Sequence, residues 1–72
     1  MQNLIHGRFK LGALYSFDYN GKAREGYVES QKGRCVCFNL TRDGNEQYPT
    51  EDRFKSFDPD KMSSLTELGR MQ

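Results

Sequence analysis

The sequence predicts an all-β domain, a small five-stranded antiparallel barrel with a one-turn helix ahead of its last strand. Three observations lead there. Short segments of alternating apolar and polar residues recur, glycine-bearing turns separate them, and Asp58-Pro59 has the form of a helix start. At 72 residues the chain lies near the lower limit for one self-sufficient hydrophobic core, so a single domain over 1–72 is expected, frayed over 69–72.

The first strand is expected at 13–19, where Tyr15, Phe17 and Tyr19 alternate with Leu14, Ser16 and Asp18. Asn20-Gly21 follows, a pair that tolerates positive φ at both positions and marks a tight hairpin. The chain then returns over 22–30, with Arg24, Gly26 and Val28 on one side and Ala23, Glu25 and Tyr27 on the other. Gln31-Lys32-Gly33 reverses it again.

The third strand, 34–42, sets Val36, Phe38 and Leu40 against Cys35, Cys37, Asn39 and Thr41, which places the cysteines on the less buried face. Asp43-Gly44-Asn45 is the third turn. Over 46–57 the pattern is interrupted by Pro49, which cannot donate to a ladder, and by Glu51-Asp52, so a regular strand is expected only at 53–57. Phe54 and Phe57 stand three apart, which puts them on opposite faces unless a bulge or the strand end intervenes.

A helical turn at 58–62 and a last strand at 64–68 complete the layout of a small SH3-like or Sm-like barrel. Its expected core is Leu14 or its aromatic neighbours, Val28, Val36, Phe38, Leu40, Phe54, Phe57 and Leu65. The competing layout packs a twisted sheet on an N-terminal helix, but 3–10 is short for a helix and contains Gly7.

Eleven basic residues against ten acidic ones, a net charge of +1, do not by themselves announce a nucleic-acid binder. Five Phe and four Tyr argue for a folded domain over a disordered tail. No apolar run approaches the roughly 20 residues of a bilayer span, and 1–6 lacks the layout of a signal peptide, so a cytoplasmic protein without membrane contact is expected. Cys35 and Cys37 are poorly placed for an unstrained mutual disulfide and are read as thiols.

The strand LYSFDY with its turn NGK, the strand REGYVE, the strand CVCFNL and the closing stretch RFKSFDPDKMSSL follow one another in an order that resembles the WYL domain. That family is an Sm-like barrel found in bacterial transcription regulators and in proteins associated with phage defence. The resemblance covers 14–65, and its most specific part is the basic-Phe segment followed by an acidic turn and a final strand. The eponymous Trp-Tyr-Leu is absent, since the third strand reads Cys35-Val36-Cys37-Phe38, and the helix-turn-helix that commonly precedes the domain has no counterpart in this sequence. The resemblance implies a regulatory domain that binds nucleic acid or a nucleotide, with Arg53 and Lys55 matching the family's ligand-contacting basic positions.

The residues themselves favour binding over catalysis. His6 is the one histidine, and no nucleophile elbow or glycine-rich phosphate loop is present. Asp58 and Asp60 flank a proline and read as a cap and a turn, so no enzyme activity is expected. Cys35, Cys37 and His6 lack the four ligands and the spacing of a structural zinc site, and neither metal nor cofactor is expected. Small barrels bind single strands with aromatic platforms and cations, and Arg24, Arg34, Arg53, Lys55, Tyr19 and Tyr27 supply both. The competing readings are that the tyrosines are core, and that strand edges and tyrosines serve a protein partner, as in an adaptor or an occluding inhibitor, or self-association by edge pairing.

Overall fold

The computed structural model describes residues 4–48 and 53–70. A two-stranded ribbon comes first, β1 (Leu4–Ile5) and β2 (Phe9–Lys10). The main antiparallel sheet then runs through β3 (Ala13–Tyr19), β4 (Lys22–Lys32), β5 (Cys35–Asp43), β6 (Glu46–Gln47), β7 (Phe54–Phe57) and β8 (Met62–Arg70). A 3₁₀ turn at Pro59–Lys61 precedes β8, opened by Asp58, whose carboxylate accepts from the Asp60 N–H at 3.0 Å. The all-β reading of the sequence holds, as does the helical turn.

Local chemistry explains the meander. Asn20 and Gly21 adopt φ of 53° and 74°, the paired left-handed conformation of a two-residue hairpin, and bring Tyr19 opposite Lys22. Gly33-Arg34 and Gly44-Asn45 close the next two hairpins, joining Lys32 to Cys35 and Asp43 to Glu46. At Gly26 the reason for glycine is steric. A Cβ there would lie 2.7 Å from the Asn39 carbonyl oxygen and 2.9 Å from the Leu40 Cα, so the close approach of β4 and β5 at this point requires its absence.

The core is built from alternate residues of three long strands: Ala13, Tyr15 and Phe17 of β3, Val28 of β4, and Val36, Phe38 and Leu40 of β5, closed by Phe57 and Phe9. Their rings meet largely edge to face, with Phe17 5.2 Å from Phe57 and Phe9 5.8 Å from Phe38 between centroids. Several expectations are corrected here. Phe54 is 55% exposed, because β7 is a regular strand without a bulge and Phe57 takes the inner face. At the first strand the aromatic neighbours Tyr15 and Phe17, the second of the two expected alternatives, fill the core in place of Leu14, while Leu65 is only partly buried against it. Cys37 is buried at 8% exposure despite lying opposite the core residues of β5, while Cys35 is half-buried. The competing layout with an N-terminal helix is absent, as the shortness of 3–10 and Gly7 argued; 4–10 instead form the β1–β2 ribbon, which delivers Phe9 to the core.

The barrel is corrected too. The sheet has six strands in place of five and remains open, in the order β6-β5-β4-β3-β8 with β7 also against β5. β7 pairs residues 36–39 of β5 and β6 pairs 42–43, so these short strands divide one edge and neither carries a ladder round to β8. β8 is longer than expected and bulges twice against β3, between Leu14 and Tyr15 and between Ser16 and Asp18. Gly69 and Arg70 belong to β8; 71–72, like Pro49, Glu51 and Asp52, lie outside the described residues. Among the described residues no helix is long and apolar enough to cross a membrane.

Candidate functional site

The six residues singled out in the sequence do not form one cluster. Arg24 and Asp43 are directly opposed on the inner side of β4 and β5, and the guanidinium is 7% exposed. Its Nε lies 3.0 Å from Asp43 Oδ1, yet Nε, Nη1 and Oδ1 are all buried without a hydrogen-bond partner, so the contact is charge on charge without a well-aligned bond. The guanidinium also sits over the rings of Phe57 at 5.1 Å and Tyr19 at 5.7 Å. Tyr19 is half-buried, and its hydroxyl oxygen accepts from the Asp58 N–H at 3.1 Å. Arg24 and Tyr19 therefore stand behind the surface, joining β3, β4 and the 3₁₀ turn.

Asp43 gathers two further cations at the rim. Lys22 Nζ is 3.5 Å from Oδ1 and Lys55 Nζ is 4.0 Å from Oδ2, and both lysine side chains are more than half exposed. Through Asp43, Lys55 thus lies beside Lys22 of the Asn20-Gly21 hairpin, although the sheet is open. Arg34 is elsewhere, in the Gly33-Arg34 turn at the opposite end of β5, roughly 25–30 Å away at the rise of a strand.

Arg53 and Lys55 flank a small recess where β5 changes partner from β7 to β6. The Leu40 N–H donates to the Arg53 carbonyl at 2.8 Å, the Tyr48 N–H to the Thr41 carbonyl at 2.9 Å, and the Arg53 N–H to Asn39 Oδ1 at 3.1 Å. Between these ties lies a cavity of about 100 Å³ lined by Leu40, Asp43, Tyr48, Arg53, Phe54 and Lys55. The Arg53 guanidinium stacks over the Tyr48 ring at 4.3 Å. The Tyr48 hydroxyl donates to Glu46 Oε1 at 2.8 Å, and this bond, with desolvation and the charge of Glu46, raises the Tyr48 pKa above its ordinary 10.0, while Arg53 pulls it the other way.

Tyr27 is on the other side of the sheet. It forms a row of directly opposed residues, Leu14 on β3, Tyr27 on β4, Asn39 on β5 and Phe54 on β7, all on the face away from the core. Asp43, Tyr48, Asn39 and Phe54 are among the members of this region that were not expected as site residues. Phe54 was legible, because its three-residue offset from Phe57 turns it outward. Tyr48 was not, since its position depends on β5 exchanging one edge partner for another.

Among the described residues no group of three or more His, Cys, Asp and Glu is disposed to hold a metal ion. No protein-family model matches this chain, and no curated protein or solved structure matches it.

Proposed function

We propose that this chain is a non-catalytic, WYL-like regulatory domain that binds nucleic acid or a nucleotide at the Arg53–Lys55 segment. On this reading β3, β4, β5, β7 and β8, with the 3₁₀ turn before β8, correspond to the strands of an SH3-like or Sm-like barrel left unclosed. The order of these strands supports the correspondence, since β8 pairs β3 while β7 pairs β5. Free cysteines, Cys35 and Cys37, agree with a cytoplasmic setting.

The observation that carries the reading is the recess itself. Arg53, stacked on Tyr48, and Lys55 both line it, and Asp43, the one carboxylate in its lining, is already neighboured by Arg24, Lys22 and Lys55. At about 100 Å³ it admits one phosphate or one planar ring, not a whole nucleotide, so the rest of a ligand would lie along the surface. The alternative, an adaptor or occluding inhibitor, draws on β8, whose outer edge is unpaired among the described residues.

Fluorescence anisotropy with short single-stranded DNA and RNA at two salt concentrations tests the proposal. Affinity that falls steeply with salt, and less steeply in Arg53→Ala with Lys55→Ala by about one unit of log–log slope per charge removed, supports it. Absence of binding at low salt to oligonucleotides and to mononucleotides overturns it and leaves the protein-binding reading.

A further inference from the structure

We infer that the outer face of the sheet is a base-stacking platform, and that the ligand is a single strand whose bases lie on Phe54 and Tyr27. The inference rests on the proposed function and deepens it. Phe54 sits between Arg53 and Lys55 in sequence, lines the recess, and yet is 55% exposed on the opposite side of β7 from Phe57. It joins the proposed phosphate-contacting edge to the outer face without a break.

The row across that face reads Phe54, Asn39, Tyr27, Leu14. The two aromatics are separated by two strand spacings, roughly 10 Å. Asn39 stands between them, its Oδ1 held by the Arg53 N–H, which leaves Nδ2 as the donor end of the amide. The rows on either side are small or polar: Ser30, Cys37 and Ser56 on one, Ser16, Glu25 and Arg42 on the other. Phe54 is exposed and Tyr27 half-buried, and apart from Leu14 their neighbours on this face are small or polar, where a protein-docking core would surround its aromatics with apolar side chains.

Charge agrees with a polyanion crossing the row. Arg42, opposite Glu25, borders it on β5 and the Arg53–Lys55 edge borders it on β7, while of the β4 carboxylates two residues from Tyr27, Glu25 accepts from Thr41 Oγ1 at 3.3 Å and Glu29 is exposed at the bulge after Val28. A duplex keeps its base faces stacked within itself and cannot use such a platform, so a single strand is the ligand that fits.

The test uses fluorescein-labelled 12-mers: a single strand, the same strand with abasic sites throughout, and a duplex. Tighter binding of the single strand than of the other two, with at least a ~5-fold loss in Phe54→Ala and in Tyr27→Ala in proteins whose urea midpoints are unchanged, is the expected result. Equal binding of the abasic strand, or wild-type affinity in both aromatic variants, overturns the platform while the phosphate-contacting edge stands. Failure of all three oligonucleotides at low salt overturns the platform and the nucleic-acid reading together.

Discussion

Arg24 and Tyr27 lie three residues apart on one strand and face opposite sides of the sheet. Arg24 points inward, over Phe57 and Tyr19 and against Asp43, where its charge is spent on holding strands together. Tyr27 points outward into a row that ends at an exposed Phe54. Similar residue types thus serve two purposes, and strand parity separates these two. Burial and not parity alone marks the structural cation: Arg24 is enclosed beside Asp43, whereas Lys55, in the same row as Val28 and Phe38, is more than half exposed on an edge strand and is free to meet a ligand, as is exposed Phe54 on the outer face.

The largest effect that distinguishes the two regions belongs to Asp43. Its removal leaves Arg24 buried without its counter-ion, so Asp43→Ala is expected to cost about 3–5 kcal/mol in urea unfolding. Arg24→Met is expected to cost less, because Asp43 keeps Lys22 and Lys55 beside it, and Arg24→Met placed in the Asp43→Ala background should recover much of the loss. Equal losses in both single variants, with no recovery in the double, would show that Arg24 is not a buried charge needing compensation. Next comes Gly26→Ala, whose new Cβ meets backbone on β5 rather than a flexible side chain. A loss of roughly 1–3 kcal/mol, seen as a lower urea midpoint at constant slope, is expected.

The smallest effect concerns the recess alone. Glu46→Gln removes the charged acceptor of the Tyr48 hydroxyl, so the Tyr48 pKa should move down toward 10.0, followed as phenolate absorbance. The sign follows from the proton count. A phenol whose folded pKa is raised adds stability that is present below the unfolded pKa and is lost as pH rises through the folded one, so the wild-type protein should lose this contribution above pH 10. An unchanged titration in Glu46→Gln would mean that the pair does not persist in solution.

The parts of this fold that were legible are those where a local rule acts alone. Asn20-Gly21 marked its hairpin through positive φ, Asp58-Pro59 marked its cap, and the alternation of Tyr15, Phe17 and Tyr19 with Leu14, Ser16 and Asp18 marked β3 and its inner face. The burial of Arg24 was legible as well, from its shared parity with Gly26 and Val28, but its charge argued for the surface, and only the opposed Asp43 explains why burial is tolerated. The β1–β2 ribbon could not be read from periodicity, because two-residue strands contain no period; His6-Gly7, at φ of 55° and 67°, was its one local sign. The open sheet and the recess depend on how β6 and β7 divide the edge of β5, a long-range choice that no short segment encodes.

Amide NMR of the labelled protein titrated with a single-stranded 12-mer tests most directly where the ligand lies. The account predicts shifts concentrated at Tyr48, Arg53, Phe54, Lys55, Asn39 and Tyr27, with none at Gly33-Arg34 or along the β1–β2 ribbon. Shifts confined to the Gly33-Arg34 turn or to β8, or no shift at saturating oligonucleotide, would contradict it.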